Sequence, residues 1–301
     1  MKKLFCLVVL TFISFSCSNS DEDEAAVNAI DPTKLVKVIL YPETSREKHW
    51  NFNENGLLKE ITKPDGSKEL SYVYDSNNNL ITINTWKNNS ITASSHFTYD
   101  TNNYLTSNNT STFTYNLTTN SYINHNSLIG PDDNVYYYDY TYYLNEERLL
   151  LSVETNFYPN NEDISYDYFI RTTRQKFENG NVVSVTPNDS DLMNEYIYEY
   201  DNTINPLKNA LLPISKINFI PFDFEDSIMP LYPQVSPFLF SKNNVLTSVG
   251  HSVYESDEGI INTPANYIYI YNSNNLPISV QYEYQSSPML KYYYQGDFIP
   301  N

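Results

Sequence analysis

Hydrophobic and polar positions along this chain keep returning to one pattern. An aromatic residue, any residue and a second aromatic are followed by Asp or Asn, a polar turn and an aliphatic run. Tyr72-Val73-Tyr74-Asp75 leads through Ser76-Asn77-Asn78-Asn79 into Leu80-Ile81-Thr82-Ile83. Phe97-Thr98-Tyr99-Asp100 leads into Tyr104-Leu105, Tyr198-Glu199-Tyr200-Asp201 into Leu207, and Tyr269-Ile270-Tyr271-Asn272 into Leu276. Weaker copies stand at Trp50–Leu57, Phe113–Asn116, Phe177–Val182 and Phe240–Val245. Residues two apart on a strand face the same side, so each aromatic pair is predicted to point into one layer. The Asp or Asn caps a turn through its own side chain, and the aliphatic run begins the return strand. Leu276, Ile278, Val280, Tyr282 and Tyr284 alternate with polar residues or proline, which predicts a half-buried antiparallel strand.

Composition sharpens this picture. The chain holds 29 Tyr and 15 Phe but only 7 Gly, so asparagine is expected to take the left-handed turn positions that glycine usually fills. The predicted fold is all-β: a curved antiparallel meander of strand–turn–strand units, open or rolled into a partial barrel, with a two-sheet sandwich as the alternative. Each unit needs neighbours to bury its aromatic layer. The first strand is expected at Leu35–Leu40, and long strands are expected in the Tyr-dense stretch 130–170. Residues 206–238 contain six prolines, too many for central strands. A short helix at Leu207–Leu212 followed by a loop covering a sheet face or end is expected there. The organisation read from the sequence is a signal segment at 1–16, an acidic tether at 17–34 and one repeat-built β domain at 35–301 with an insertion at 206–238.

The repeated motif resembles the YD repeat of the RHS family, whose core reads roughly Tyr-x-Tyr-Asp-x-x-Gly-x-Leu. The resemblance covers about residues 45–120 and 175–295. Here Asn usually replaces the motif's Gly, and the spacing between copies is irregular. The resemblance implies a β-sheet scaffold. In large members of that family such sheets spiral into a shell around a toxin, and this chain is similar to small lipoproteins that carry only a few such units.

The N-terminus reads as an address. Met1-Lys2-Lys3 precedes an apolar run from Leu4 to Phe15, too short to span a bilayer as a helix. Cys17 follows, and the arrangement resembles a Bacteroidota-type lipoprotein signal in which such a cysteine is diacylated. Ser14 stands where that signal usually has Leu. The run Asp21-Glu22-Asp23-Glu24 resembles an export signal to the outer face of the outer membrane. The expectation is therefore lipidation at Cys17 and a membrane partner through that anchor. Two or three acyl chains would suffice, because each buried CH₂ contributes about 0.8 kcal/mol.

Candidate chemistry is sparse. The only cysteines are Cys6 and Cys17, so the body of the chain offers no disulfide, thiol nucleophile or thiolate metal site. His49, His96, His125 and His251 are not at ligand spacing, and no phosphate-cradling Gly loop or Gly-x-Ser-x-Gly elbow occurs. No cofactor, metal or catalytic residue is expected. Asn160–Asp163 and Asp132–Asn134 are the turns with the best oxygen donors for Ca²⁺, and a solvated turn is the expected reading of both. Asp226-Ser227-Ile228 resembles an O-glycosylation acceptor. The formal charge of −18 argues against a nucleic-acid partner. The leading expectation is a non-enzymatic surface lipoprotein that binds a glycan or protein or acts as an envelope scaffold. Rows of solvent-facing tyrosines would supply such a binding surface. The alternatives are an envelope polysaccharide hydrolase using paired carboxylates and a fragment of an RHS-type toxin carrier.

Overall fold

The structure is a computed structural model, and it describes residues 30–129, 135–158, 173–186, 194–217, 236–253 and 260–299. The signal segment, Cys17, the tether before residue 30, both candidate Ca²⁺ turns, Asp226–Ile228 and residues 218–235 of the insertion lie outside the described residues.

The chain first runs through β1 (Leu35–Leu40), β2 (Lys48–Phe52), β3 (Leu58–Thr62), β4 (Lys68–Tyr74), β5 (Leu80–Lys87) and β6 (Ser90–His96). A small hairpin, β7 (Thr98–Tyr99) and β8 (Leu105–Ser107), follows. Next come β9 (Thr114–Asn116), β10 (Ser121–Ile129), β11 (Val135–Leu144), β12 (Leu150–Tyr158), β13 (Thr173–Glu178), β14 (Asn181–Thr186) and β15 (Asn194–Ile204). Helices α1 (Pro206–Ser215) and α2 (Ser236–Phe240) interrupt the strands before β16 (Asn243–Val253), β17 (Ile260–Tyr271), β18 (Pro277–Tyr282) and β19 (Leu290–Tyr294).

Seventeen of these strands form one antiparallel sheet that is not closed into a barrel. Neighbours in sequence pair with each other from β1 to β6 and from β9 to β19. The two runs join where β1 pairs with β19, Lys37 opposite Tyr293 and Leu40 opposite Leu290. The β7–β8 pair lies in sequence between the two ends, β6 and β9. Phe97, just before β7, donates its N–H to the Ile81 carbonyl of β5, and Ser107 of β8 bridges to Thr112, just before β9.

One continuous apolar core results. It joins Val38, Ile61, Leu70, Leu80 and Ile83 of the first run to Val182, Val185, Tyr198 and Val245 of the second. The paired aromatics point inward as expected. Tyr72, Phe97 and Tyr198 are buried, Tyr74, Tyr99, Tyr200 and Tyr269 pack half-buried against the core, and Tyr271 is half-buried. The motif's aromatic pairs are therefore packing and do not form a solvent-facing binding row.

The half-buried antiparallel strand expected from Leu276 to Tyr284 is present as β18, but its alternation is interrupted. A bulge opposite Tyr271 and Pro277 turns Pro277 inward and Ile278 outward, and Tyr284 is exposed. Two further motif copies are not hairpins. Asp201 lies inside β15, and Phe240 ends α2.

The second tyrosine of a pair has a specific partner. Tyr74 Oη donates to the Leu58 carbonyl at 2.6 Å, Tyr99 Oη to Leu80 at 2.8 Å and Tyr294 Oη to Pro277 at 2.8 Å. Tyr200 bonds the Val182 carbonyl in the same way. Leu58, Leu80 and Pro277 each begin the strand after the preceding turn and Val182 is second in its strand, so these hydroxyls fasten one unit to the one before it. By contrast, the Tyr72 hydroxyl is buried and has no hydrogen-bond partner among the described residues. An orphaned buried hydroxyl lowers stability, and a bonded one raises it by about 1 kcal/mol. Y72F is thus expected to leave stability unchanged or raise it, whereas Y74F lowers it by about 1–2 kcal/mol. Urea midpoints at constant m-value decide between these outcomes and a uniform packing role for both rings.

Candidate functional site

The turns between strands are built alike. At Asn53, Asp75, Asp100, Asn145 and Asn272 the cap residue's N–H donates to the carbonyl four residues on, and its carbonyl accepts from the N–H three residues on, all at 2.8–3.0 Å. The cap's side-chain oxygen accepts the N–H four residues on, as in Asn79 to Asp75 Oδ1 at 2.8 Å and Leu276 to Asn272 Oδ1 at 3.1 Å. The residue three past the cap has left-handed φ: Gly56 at 74°, Asn78 at 61°, Asn103 at 60°, Arg148 at 64° and Asn275 at 57°. Glycine and asparagine reach that region at low cost, which explains the Asn-for-Gly exchange along this chain. A sixth corner, Lys63 to Ser67 with Gly66 at φ 81°, keeps the backbone bonds and caps through Asp65 instead.

Successive corners stack in a row. Asn55 Nδ2 donates to Asn78 Oδ1 at 3.4 Å, Asn79 Nδ2 to Asn103 Oδ1 at 2.9 Å, and Arg148 Nη1 to the Asn103 carbonyl at 3.0 Å. The Arg148 guanidinium also lies 4.2 Å from the centroid of Tyr104, which stacks on Tyr115. Asp201 behaves differently. Its carboxylate accepts from Thr203 N–H at 2.9 Å and Asn244 N–H at 3.1 Å and receives the Tyr271 hydroxyl, clamping three strands rather than capping a hairpin.

Helix α1 faces the corner row. Asn205 caps it by accepting the Leu207 N–H at 3.0 Å, and Pro206 fits the first turn, where no N–H is needed. Leu207, Ala210, Leu211 and Ile214 recur at helical spacing and bury one face in the core. This agrees with the short helix expected at Leu207–Leu212.

A cleft of about 870 Å³ remains between α1 and the corners. Asn77, Asn78 and Asn103 line one wall, and Lys208, Leu212 and Lys216 line the other. That volume lies in the range of small-ligand sites. Lys208 is paired with Glu147 at 2.7 Å. Burial, and then the Arg148 guanidinium, hold the Lys216 ammonium below the usual lysine range.

Of the residues singled out from sequence, Tyr99 lines this cleft, and the corners of Asp75 and Asp100 supply its asparagine wall. Tyr198, Tyr269, Tyr271 and Asn272 are not among its lining residues. The cleft's cations were not singled out. Asn145-Glu146-Glu147-Arg148-Leu149 carried a usable signal, an arginine in the slot that Gly or Asn fills at sister corners. Among the described residues no group of three His, Cys, Asp or Glu side chains is placed to hold a metal ion, and no helix is long and apolar enough to cross a membrane.

These features define the chain as an antiparallel β protein of stacked, Asx-capped corners with one helix-lined cleft. No protein-family model matches the sequence, and no curated protein does either. Solved structures similar to it include a porin-like protein from Bacteroides uniformis, with TM-score 0.36 and 8% identity over 89% of this chain and 99% of that one. A porin-like protein from Bacteroides vulgatus gives TM-score 0.30 and 11% identity over 87% and 98%. The complex described as TcdB2-TccC3-TEV gives TM-score 0.25 and 12% identity over 83% of this chain and 13% of that one. Likeness at this level assigns no function.

Proposed function

We propose that this chain is a non-enzymatic lipoprotein of the cell envelope, anchored through Cys17 at the outer membrane and facing the exterior. Its YD-like corner units serve as a rigid scaffold for one binding cleft. The observation that supports this most is the cleft itself, an open volume between α1 and a corner row that is otherwise tied together by its own hydrogen bonds. Binding is favoured over hydrolysis by the use of the corner carboxylates. Asp75 Oδ1 accepts the Asn77 and Asn79 N–H groups and Oδ2 accepts Asn79 Nδ2, and Asp100 Oδ1 accepts the N–H groups of Asn102 and Tyr104. Neither of these lines the cleft; the carboxylates that do are Glu146 and Glu147, and Glu147 is paired with Lys208.

Anchorage predicts that C17A moves the full chain from the membrane fraction to the soluble fraction, because removing two acyl chains removes a stable hold on the bilayer. Retention of C17A in the membrane overturns the anchor. For the cleft, purified envelope polysaccharides should be retained without release of new reducing ends, and N209W, which places a bulky ring on the exposed cleft side of α1, should abolish retention. Turnover that disappears in E146Q would instead establish the hydrolase.

A further inference from the structure

We propose that the cleft is an anion site, taking a carboxylate or phosphate group carried on a hydroxyl-rich ligand such as an acidic oligosaccharide, with Arg148 and Lys216 as its charge partners. This deepens the binding reading above and rests on it. The charge distribution motivates it. The chain as a whole has twice as many acidic as basic residues, 36 against 18. The cleft reverses that balance, with Arg148, Lys208, Lys216 and Lys242 against Glu146 and Glu147. Glu147 is engaged by Lys208. Among the described residues, Lys216 and Lys242 have no carboxylate partner within ion-pair distance. The net charge left over is positive and faces a partly enclosed volume, where a ligand charge is screened less than on open surface.

Arg148 is the second observation. Its φ of 64° is the conformation that Gly or Asn adopts at the sister corners, so an arginine is a poor choice for the turn itself. The turn nevertheless places the guanidinium at the cleft, held by the Asn103 carbonyl and the Tyr104 ring. A guanidinium has five N–H donors and only one is used by Asn103, which leaves a fork matched to a carboxylate or phosphate. Burial, and then repulsion from the Arg148 guanidinium, hold the Lys216 ammonium below the usual lysine range, and a bound anion relieves that repulsion. Along the opposite wall Asn77, Asn78 and Asn103 spend Asn77 Nδ2, Asn78 Oδ1 and Asn103 Oδ1 on the corner row itself, which leaves the Nδ2 groups of Asn78 and Asn103 to donate to hydroxyls and Asn77 Oδ1 to accept from them.

The test uses the purified full chain in calorimetric titrations with three probes: trigalacturonic acid, a neutral galactose trimer and inorganic phosphate. Binding of trigalacturonate that weakens with added salt is expected, with at least a tenfold loss in R148N and in K216Q and no binding of the neutral trimer. R148N retains a residue already found at this φ in Asn78, Asn103 and Asn275, so its fold is preserved and circular dichroism verifies it. Binding of phosphate alone, lost in the same variants, assigns the site to phosphate-bearing ligands. Equal affinity in wild type, R148N and K216Q overturns the anion site, as does no binding of either anion at millimolar concentration. Binding of the neutral trimer that is lost in N209W but unchanged in K216Q overturns the anion site while leaving the cleft's binding role standing.

Discussion

Raising the pH above about 10 is expected to unfold this protein in one cooperative step, complete within about two pH units. Burial is the largest cause holding the hydroxyls of Tyr72, Tyr74, Tyr99, Tyr269, Tyr292 and Tyr294 protonated above the ordinary tyrosine value of 10.0. A group whose folded pKa exceeds its unfolded pKa contributes stability that is complete below the unfolded value and is lost as pH rises toward the folded one. The loss therefore begins near pH 10 and deepens above it. At about pH 11 each such tyrosine destabilises the folded state by about 1.4 kcal/mol, because the unfolded chain can ionise and the folded chain cannot. Six of them together cost about 8 kcal/mol, comparable to the whole stability of a typical domain, about 5–15 kcal/mol. Far-ultraviolet circular dichroism and phenolate absorbance followed together should show coincident transitions. Gradual ionisation with unchanged circular dichroism past about pH 12 would mean that the rings titrate in place and that the tyrosine layer is far less enclosed than described.

The same layer shows which parts of the fold were legible in the sequence. The corners were, because an Asx cap and its left-handed residue are fixed within five positions. Tyr74-Asp75 and Asn78 already contain the whole turn. The inward aromatic pairs were legible too, since period two needs only the pattern of a single strand. Pairings set by distant segments were not. Nothing near Leu35–Leu40 indicates that its partner is Leu290–Tyr294, and that contact joins the two runs of strands. Tyr198-Glu199-Tyr200-Asp201 carries the same letters as a corner, yet Asp201 is claimed by Asn244 and Tyr271 from other strands. Leu276 to Tyr284 looked like uninterrupted alternation, and one bulge opposite Tyr271 turned Ile278 outward.

The cleft depended on the least legible feature, the docking of α1 against corners far away in sequence. Its core face, Leu207, Ala210, Leu211 and Ile214, follows helical spacing, while nothing in the sequence marks Lys208 or Lys216 as facing a cleft. Corners and cleft are therefore linked physically. The asparagines that make tight turns possible in a glycine-poor chain also leave a row of amides at one end of the sheet, and the insertion between β15 and β16 places its helix over that row.

A graded series at one corner tests that linkage. D75A removes the acceptor for Asn77 N–H, Asn79 N–H and Asn79 Nδ2, bonded at 2.9, 2.8 and 3.0 Å, and is expected to cost about 2–3 kcal/mol because hydrogen bonds to a charged group are the stronger kind. N78V forces a β-branched residue to φ 61° and is expected to cost about 2 kcal/mol, while N78G stays within about 0.5 kcal/mol of wild type. The two losses share one turn, so D75A/N78V is expected to fall short of their sum. Because Asn79 Nδ2 also donates to Asn103 Oδ1, hydrogen exchange in D75A should accelerate at the neighbouring corner, at Asn102–Tyr104, as well as at residues 75–79. Protection unchanged at Asn102–Tyr104 would show that each corner stands alone, and the stacked row would then no longer account for the rigidity of the cleft wall.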